Sequence, residues 1–139
     1  MAHKMLVDID RCIGCWTCAM GCKVGNHLED DEYRVEVETH GSGQGIDRPE
    51  GVYPDLRMWW QPVYLPSCTF CAERMKEGEP QFCVMDCPTQ ALAFGDVDDP
   101  DSAYSQARAR LEARGARFWE LDDAGTTTRS HIEYASTRQ

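Results

Sequence analysis

A chain of 139 residues with 42% apolar residues and a mean hydropathy of −0.55 can bury only a modest core. Its formal charge of −10 excludes the basic face that a nucleic-acid binder needs, and no apolar run is long enough to cross a bilayer. Eight cysteines in so small a chain point to a bound metal that supplements the core.

In chain order, "MLVDID" alternates Met5, Val7 and Ile9 with other residues and predicts a short half-buried strand leading into the first cysteine loop. No apolar stretch follows Lys4, so no secretory signal is read, and a cytosolic, reduced chain without disulfides is expected. Thr17 to Val24 predicts a short helix that stops at Gly25-Asn26. "YRVEVET", Tyr33 to Thr39, alternates apolar and charged residues as an exposed strand does. It enters a loop rich in Gly and Pro whose "GSGQG" lacks the strand and helix that would make it a nucleotide site. "LRMWWQPVYLP" is extended, with Pro62 and Pro66 keeping it out of a sheet interior. "ALAFGD" is another short strand. Beyond it, Asp99 is the expected helix cap, Pro100 the first helical residue and Gly115 the stop. Tyr104, Ala107 and Leu111 form that helix's narrow apolar stripe, and from Phe118 a short strand and a polar tail are expected.

The cysteines come in two sets. "CIGCWTCAMGC" places Cys12, Cys15, Cys18 and Cys22 with gaps of two, two and three residues; Cys68, Cys71, Cys83 and Cys87 follow with gaps of two, eleven and three. Three thiolates on one tight loop can reach three corners of a cubane iron–sulfur cluster. The fourth, three residues on, begins a helix, points away and serves the other cluster of a two-cluster protein. On that logic one [4Fe–4S] cluster takes Cys12, Cys15, Cys18 and Cys87, and the other takes Cys22, Cys68, Cys71 and Cys83, with no cysteine left over. Zinc prefers separated pairs of ligands and fits the spacing less well. Pro88 fixes the turn after the last ligand. Trp16 either shields a cluster from water or simply packs; Trp59 and Trp60 read as core or interface residues. His3, His27, His40 and His131 lie outside the cysteine loops and read as surface or structural residues. No nucleophile, phosphate loop or paired-carboxylate signature is present, so electron transfer without bond making is expected. The expected fold is α+β, one domain with a ferredoxin-like two-cluster core at 5–25 and 67–98, an insertion at 26–66 and a C-terminal extension at 99–139.

"VDIDRCIGCWTCAMGCKVGN" together with "CTFCAERMKEGEPQFCVMDCPTQALAFGDVDDPDS" resembles the iron–sulfur electron-transfer subunits of dimethyl sulfoxide reductase-type molybdenum enzymes. In fuller members of that family four cysteine motifs bind four [4Fe–4S] clusters, the first and last motifs sharing two of them. The last motif has the same spacing of two, eleven and three, followed by Pro-Thr, an apolar strand, "FGD" and an Asp-Pro segment. The resemblance implies a reduced, two-cluster form that lacks the middle motifs, with the insertion standing in their place. It also implies a large catalytic partner holding a bis(pyranopterin guanine dinucleotide) molybdenum or tungsten centre. A membrane anchor or another electron donor is a further partner the family allows, and co-export with a signal-bearing catalytic partner would place the chain on the outer face of the cytoplasmic membrane. The eleven-residue excursion is expected to cap the second cluster or to join the docking face. The rival readings are a free, diffusible ferredoxin and a zinc-stabilised interaction module. The insertion and the extension favour a subunit over a free carrier.

Overall fold

The computed structural model describes residues 3–41, 48–121 and 129–139; most of the Gly-rich loop and the middle of the polar tail lie outside the described residues. The architecture is α+β. Its larger sheet takes four strands, β1 (His3–Asp8), β4 (Leu92–Asp96), β5 (Arg117–Trp119) and β6 (Ile132–Ser136), in the spatial order β4-β1-β6-β5. β1 runs antiparallel to β4 and parallel to β6, and β5 runs antiparallel to β6. A separate hairpin pairs β2 (Val35–His40) with β3 (Trp59–Tyr64). The helices are α1 (Thr17–Gly25), α2 (Ala72–Lys76), α3 (Phe82–Asp86) and α4 (Ala103–Ala113).

β1 is where its alternation predicts it, but Met5, Leu6, Val7 and Asp8 are all buried, so it is not half-exposed. The reason is its inner position. Met5 and Val7 pack into the core that also contains Cys18, Cys22 and Cys83, while Leu6 packs with Tyr104, Ala107 and Leu111 of α4. Each face of the strand therefore has its own cover. The buried Asp8 carboxylate lies between the guanidiniums of Arg11 at 3.5 Å and Arg110 at 3.7 Å, which offset its desolvation.

Two expectations require correction. The cap of α4 is Ser102 and not Asp99: the Ser102 hydroxyl oxygen accepts from the Ser105 N–H at 3.2 Å. Asp99 belongs to the turn before the helix, where its carboxylate accepts from the Asp101 N–H at 2.9 Å. A helix starting at Pro100 would forgo that turn. The stop is as expected, with Gly115 at φ 76 directly after the C-cap residue Arg114. The second correction concerns the tail. Residues 132–136 are buried throughout and form an inner strand, Ile132 and Tyr134 on the cysteine side and Ala135 on the α4 side. Glu133 keeps the period-two alternation but is buried where a charged residue reads as solvent-facing, which hides the inner strand from a sequence reading. Glu133 accepts from the Tyr104 hydroxyl at 2.9 Å and pairs with Arg108. The short strand expected from Phe118 is β5.

Leu111 is fully buried on the face of the sheet away from the cysteines. Leu111→Ala is expected to cost about 2–5 kcal/mol through lost burial and a cavity. Iron content should stay unchanged, as thermal melting and metal analysis of the same samples would show.

The hairpin is docked on the cysteine side. Val35 and Val37 are buried while Glu36 and Glu38 face solvent, the alternation read from the sequence. The buried Tyr134 hydroxyl donates to the carbonyl of Pro62 at 2.5 Å and fastens β3 to the sheet. Pro62 costs no ladder bond that a third strand would need, because a two-stranded sheet has only edges.

Candidate metal centre

Both cysteine loops are built on left-handed backbone. Gly14 at φ 70 and Trp16 at φ 63 curl the first loop, and Phe70 at φ 55 and Cys71 at φ 52 curl the second. The non-glycine members store local strain, which proteins concentrate at functional sites. Gly14 is also a packing requirement, since a Cβ there would stand 2.5 Å from the Trp60 ring. Trp60 thus lies against the loop as a core residue. Trp59 stacks on His40 with centroids 4.3 Å apart and meets Trp119 edge-on.

α1 carries Cys18 and Cys22 one turn apart on one face, α3 carries Cys83, and Cys87 follows at its C-cap. Cys22 thus sits inside α1 and does not begin a helix as the spacing argument expects. α1 and α3 pack closely together, and two pockets flank them. One, about 310 Å³ with its mouth included, is lined by Cys22, Cys68, Cys71 and Cys83, along with Arg34 and Tyr64 of the insertion. The other, about 340 Å³, is lined by Cys12, Cys15, Cys18 and Cys87, with Trp16, Val37, Pro62 and Pro88 among its walls. Each pocket therefore draws thiols from both halves of the sequence. Trp16 is half-exposed in the wall of the second pocket and meets Tyr33 edge-on.

Electrostatics at the thiols follow burial. It pushes Cys18 up to about 12 and Cys68 up to about 11, and raises Cys83, Cys12 and Cys22 as well; nearby thiols add to the rise. Cys15 goes the other way: burial works upward there too, but hydrogen bonds from the Thr17 hydroxyl and N–H outweigh it. The buried thiols of Cys18, Cys68 and Cys83 resist ionisation unless a cation joins them, which is the condition a metal site relieves.

Hydrogen-bond donors are already aimed at the sulfurs. The Phe70 N–H donates to Cys68 Sγ at 3.4 Å and the Ala91 N–H to Cys87 Sγ at 3.3 Å. Tyr64 O–H donates to Cys83 Sγ and Asn26 Nδ2 to Cys22 Sγ, both at 3.5 Å. Thr89 Oγ1 lies 3.6 Å from Cys87 Sγ. Sequence reasoning missed Tyr64, Asn26, Arg34 and Thr17. Asn26 and Tyr64 had a signal of proximity, Asn26 standing four residues after Cys22 and Tyr64 four before Cys68, whereas the bond of Tyr64 to Cys83 and the place of Arg34 depend on the hairpin. The excursion between Cys71 and Cys83 folds back on itself: Arg74 Nε donates to the Pro80 carbonyl at 2.8 Å, and the buried Gln81 forms part of the first pocket's wall.

Among the described residues, no three His, Cys, Asp or Glu side chains converge closely enough to hold a single metal ion. None of the helices among those residues is long and apolar enough to cross a membrane.

No family model matches the chain. Individual proteins do. A Halobacterium salinarum protein whose name assigns it to dimethyl sulfoxide reductase as an iron–sulfur subunit is 32% identical over 123 residues, covering 86% of this chain and 40% of its own length. A sulfite dehydrogenase subunit from Allochromatium vinosum is 28% identical over 133 residues, covering 91% of this chain and 42% of its own length. A component of polysulfide reductase from Wolinella succinogenes is 30% identical over 162 residues, covering 78% of this chain and 85% of its own length. The chain thus spans about two-fifths of the first two relatives and most of the third. Because the last alignment is longer than the chain's 139 residues, that relative has inserted residues which this chain lacks.

Proposed function

This protein belongs to the family of iron–sulfur subunits of dimethyl sulfoxide reductase-type oxidoreductases, and on that premise we propose that it relays single electrons to or from a large molybdopterin catalytic subunit. The carrying observation is the pair of pockets, each lined by four thiols drawn from both halves of the sequence. In this reading the chain is a single ferredoxin-like domain with two [4Fe–4S] clusters. Cys12, Cys15, Cys18 and Cys87 hold one; Cys22, Cys68, Cys71 and Cys83 hold the other.

The donor set fits such a group. Thiolates are the usual ligands of iron–sulfur clusters, and the N–H groups of Phe70 and Ala91 donate to the sulfurs of Cys68 and Cys87. A zinc site would need its ligands gathered around one ion, and no such convergence exists among the described residues. Thiols spread around a wider space favour a polynuclear group. A bound cluster supplies reversible one-electron transfer. The protein's own part is to hold the thiols, keep water from the inner sulfurs with Tyr64, Val37 and Leu92, and present Cys15 near the surface.

The residues that the Wolinella relative has and this chain lacks agree with a reduced form in which the middle motifs are gone. Relatives named as subunits of reductases and dehydrogenases favour an assembled subunit over a free carrier. The catalytic partner is read as a bis(pyranopterin guanine dinucleotide) enzyme of molybdenum or tungsten.

Anaerobic purification from the native cell tests this. Metal and sulfide analysis should give about eight iron and eight labile sulfide per chain, and the chain should co-purify with a large subunit that contains molybdenum or tungsten. Zinc in place of iron would overturn the cluster assignment. A fully iron-loaded chain that elutes alone and binds no large subunit would overturn the subunit assignment.

A further inference from the structure

The two pockets differ in what the inserted segment contributes to them. To the pocket of Cys12, Cys15, Cys18 and Cys87 it offers Val37 and Pro62, neither with a side-chain donor. To the pocket of Cys22, Cys68, Cys71 and Cys83 it offers Arg34 and Tyr64 as lining residues and Asn26 as a donor to Cys22. Hairpin register explains the placement. Val35 pairs with Tyr64 at the end of the ladder, and the Arg34 carbonyl accepts from the Leu65 N–H at 2.9 Å, so both side chains are fixed at the hairpin end that meets the pocket.

Arg34 carries the most telling detail. Its Nε is buried and has no hydrogen-bond acceptor among the described residues, in a wall of the thiol pocket. An unmet donor on a cationic side chain is expensive unless an acceptor belongs there. Sulfur of an anionic group held by the four thiols is such an acceptor. Tyr64 is buried at 2% exposure, and its hydroxyl is spent on Cys83.

We propose that the insertion is a potential-setting device for one centre only, with Arg34, Tyr64 and Asn26 raising the reduction potential of the group held by Cys22, Cys68, Cys71 and Cys83. The proposal rests on the two-cluster reading. A buried anionic group that accepts an electron gains charge where water cannot screen it. A nearby guanidinium and two donors aimed at its sulfurs stabilise the reduced form more than the oxidised form. The other centre takes its donors from the cysteine segments themselves, at Thr17, Thr89 and Ala91, so that replacing Arg34 or Tyr64 leaves those donors in place.

The experiment is redox titration followed by electron paramagnetic resonance, on the native complex and on Tyr64→Phe, Arg34→Gln and Arg34→Lys. The relevant signal is the one that Cys71→Ser alters, and iron is counted in every sample. Tyr64→Phe keeps the ring and its packing. Arg34→Gln is expected to weaken reduction of that centre at least tenfold, a fall of about 59 mV for one electron. Tyr64→Phe should shift it the same way by less, and Arg34→Lys should restore most of the native value. The second signal should not move. The proposal fails if the potential is unchanged in Tyr64→Phe and Arg34→Gln, if both signals shift together, or if lysine and glutamine behave alike. Should Arg34→Gln lose its cluster, an unchanged potential in Tyr64→Phe decides against the proposal alone. Absence of iron in the native chain would instead sink the two-cluster reading, so the two failures remain distinct.

Discussion

Cys87→Ala is expected to damage the centre of the first cysteine loop, more than sixty residues upstream, and to leave the centre nearest it in sequence intact. The chain turns at this residue. α3 ends at Asp86, and Cys87 has extended backbone at φ −65 and ψ 115, which takes its sulfur out of the helical line that carries Cys83. Pro88 then holds the turn, and the Cys87 sulfur lies in the pocket of Cys12, Cys15 and Cys18. The substitution should cost up to half of the bound iron. Combining substitutions separates the possibilities. Cys87→Ala with Cys15→Ala should lose little more iron than either alone, because both strike one centre. Cys87→Ala with Cys71→Ala should lose nearly all of it, because they strike two. Neighbouring sites are non-additive in this way, and independent ones add. Iron counts that follow the reverse pattern would refute the crosswise ligation.

A second large effect is expected at Gly25. A Cβ there would stand 2.6 Å from the Phe82 ring, closer than packing tolerates, and a ring cannot retreat as the tip of a flexible chain can. Gly25 ends α1, and Phe82 begins α3, so the contact sets how closely the two helices approach. Those helices carry Cys18, Cys22 and Cys83, and Cys87 follows directly. Gly25→Ala should therefore part them, costing about 1–3 kcal/mol as overpacking does, and reduce the iron of both centres together. Gly78→Ala is the control. Its φ of 76 strains any replacement, but a Cβ there meets nothing within 4 Å, so iron content should hold. Iron analysis and thermal melting of the two variants side by side provide the check. A Gly25→Ala chain with full iron would show that the helix approach is not what keeps the thiols in place.

The local elements were readable because their causes are local. α1 follows from the run between Cys15 and Gly25, β2 from the alternation of Val35 and Val37 with glutamates, and the stop of α4 from Gly115. The α4 cap was misplaced by three residues, since Asp99 and Ser102 are both good caps and only the turn before the helix chooses between them. The position of β6 was not readable. Its Glu133 reads as solvent-facing until Tyr104 and Arg108 take it up, and nothing local announces that partnership.

Cysteine spacing and type by themselves determined that this chain carries two sets of four thiols suited to iron–sulfur chemistry, because ligand spacing on a tight loop is fixed by covalent geometry. Only the tertiary structure decided which outside groups meet those sulfurs. Arg34 stands far in sequence from Cys68, Cys71 and Cys83, and Tyr64 from Cys22 and Cys83; strand register together with hairpin docking, both products of long-range packing, carry them to the pocket of Cys22, Cys68, Cys71 and Cys83.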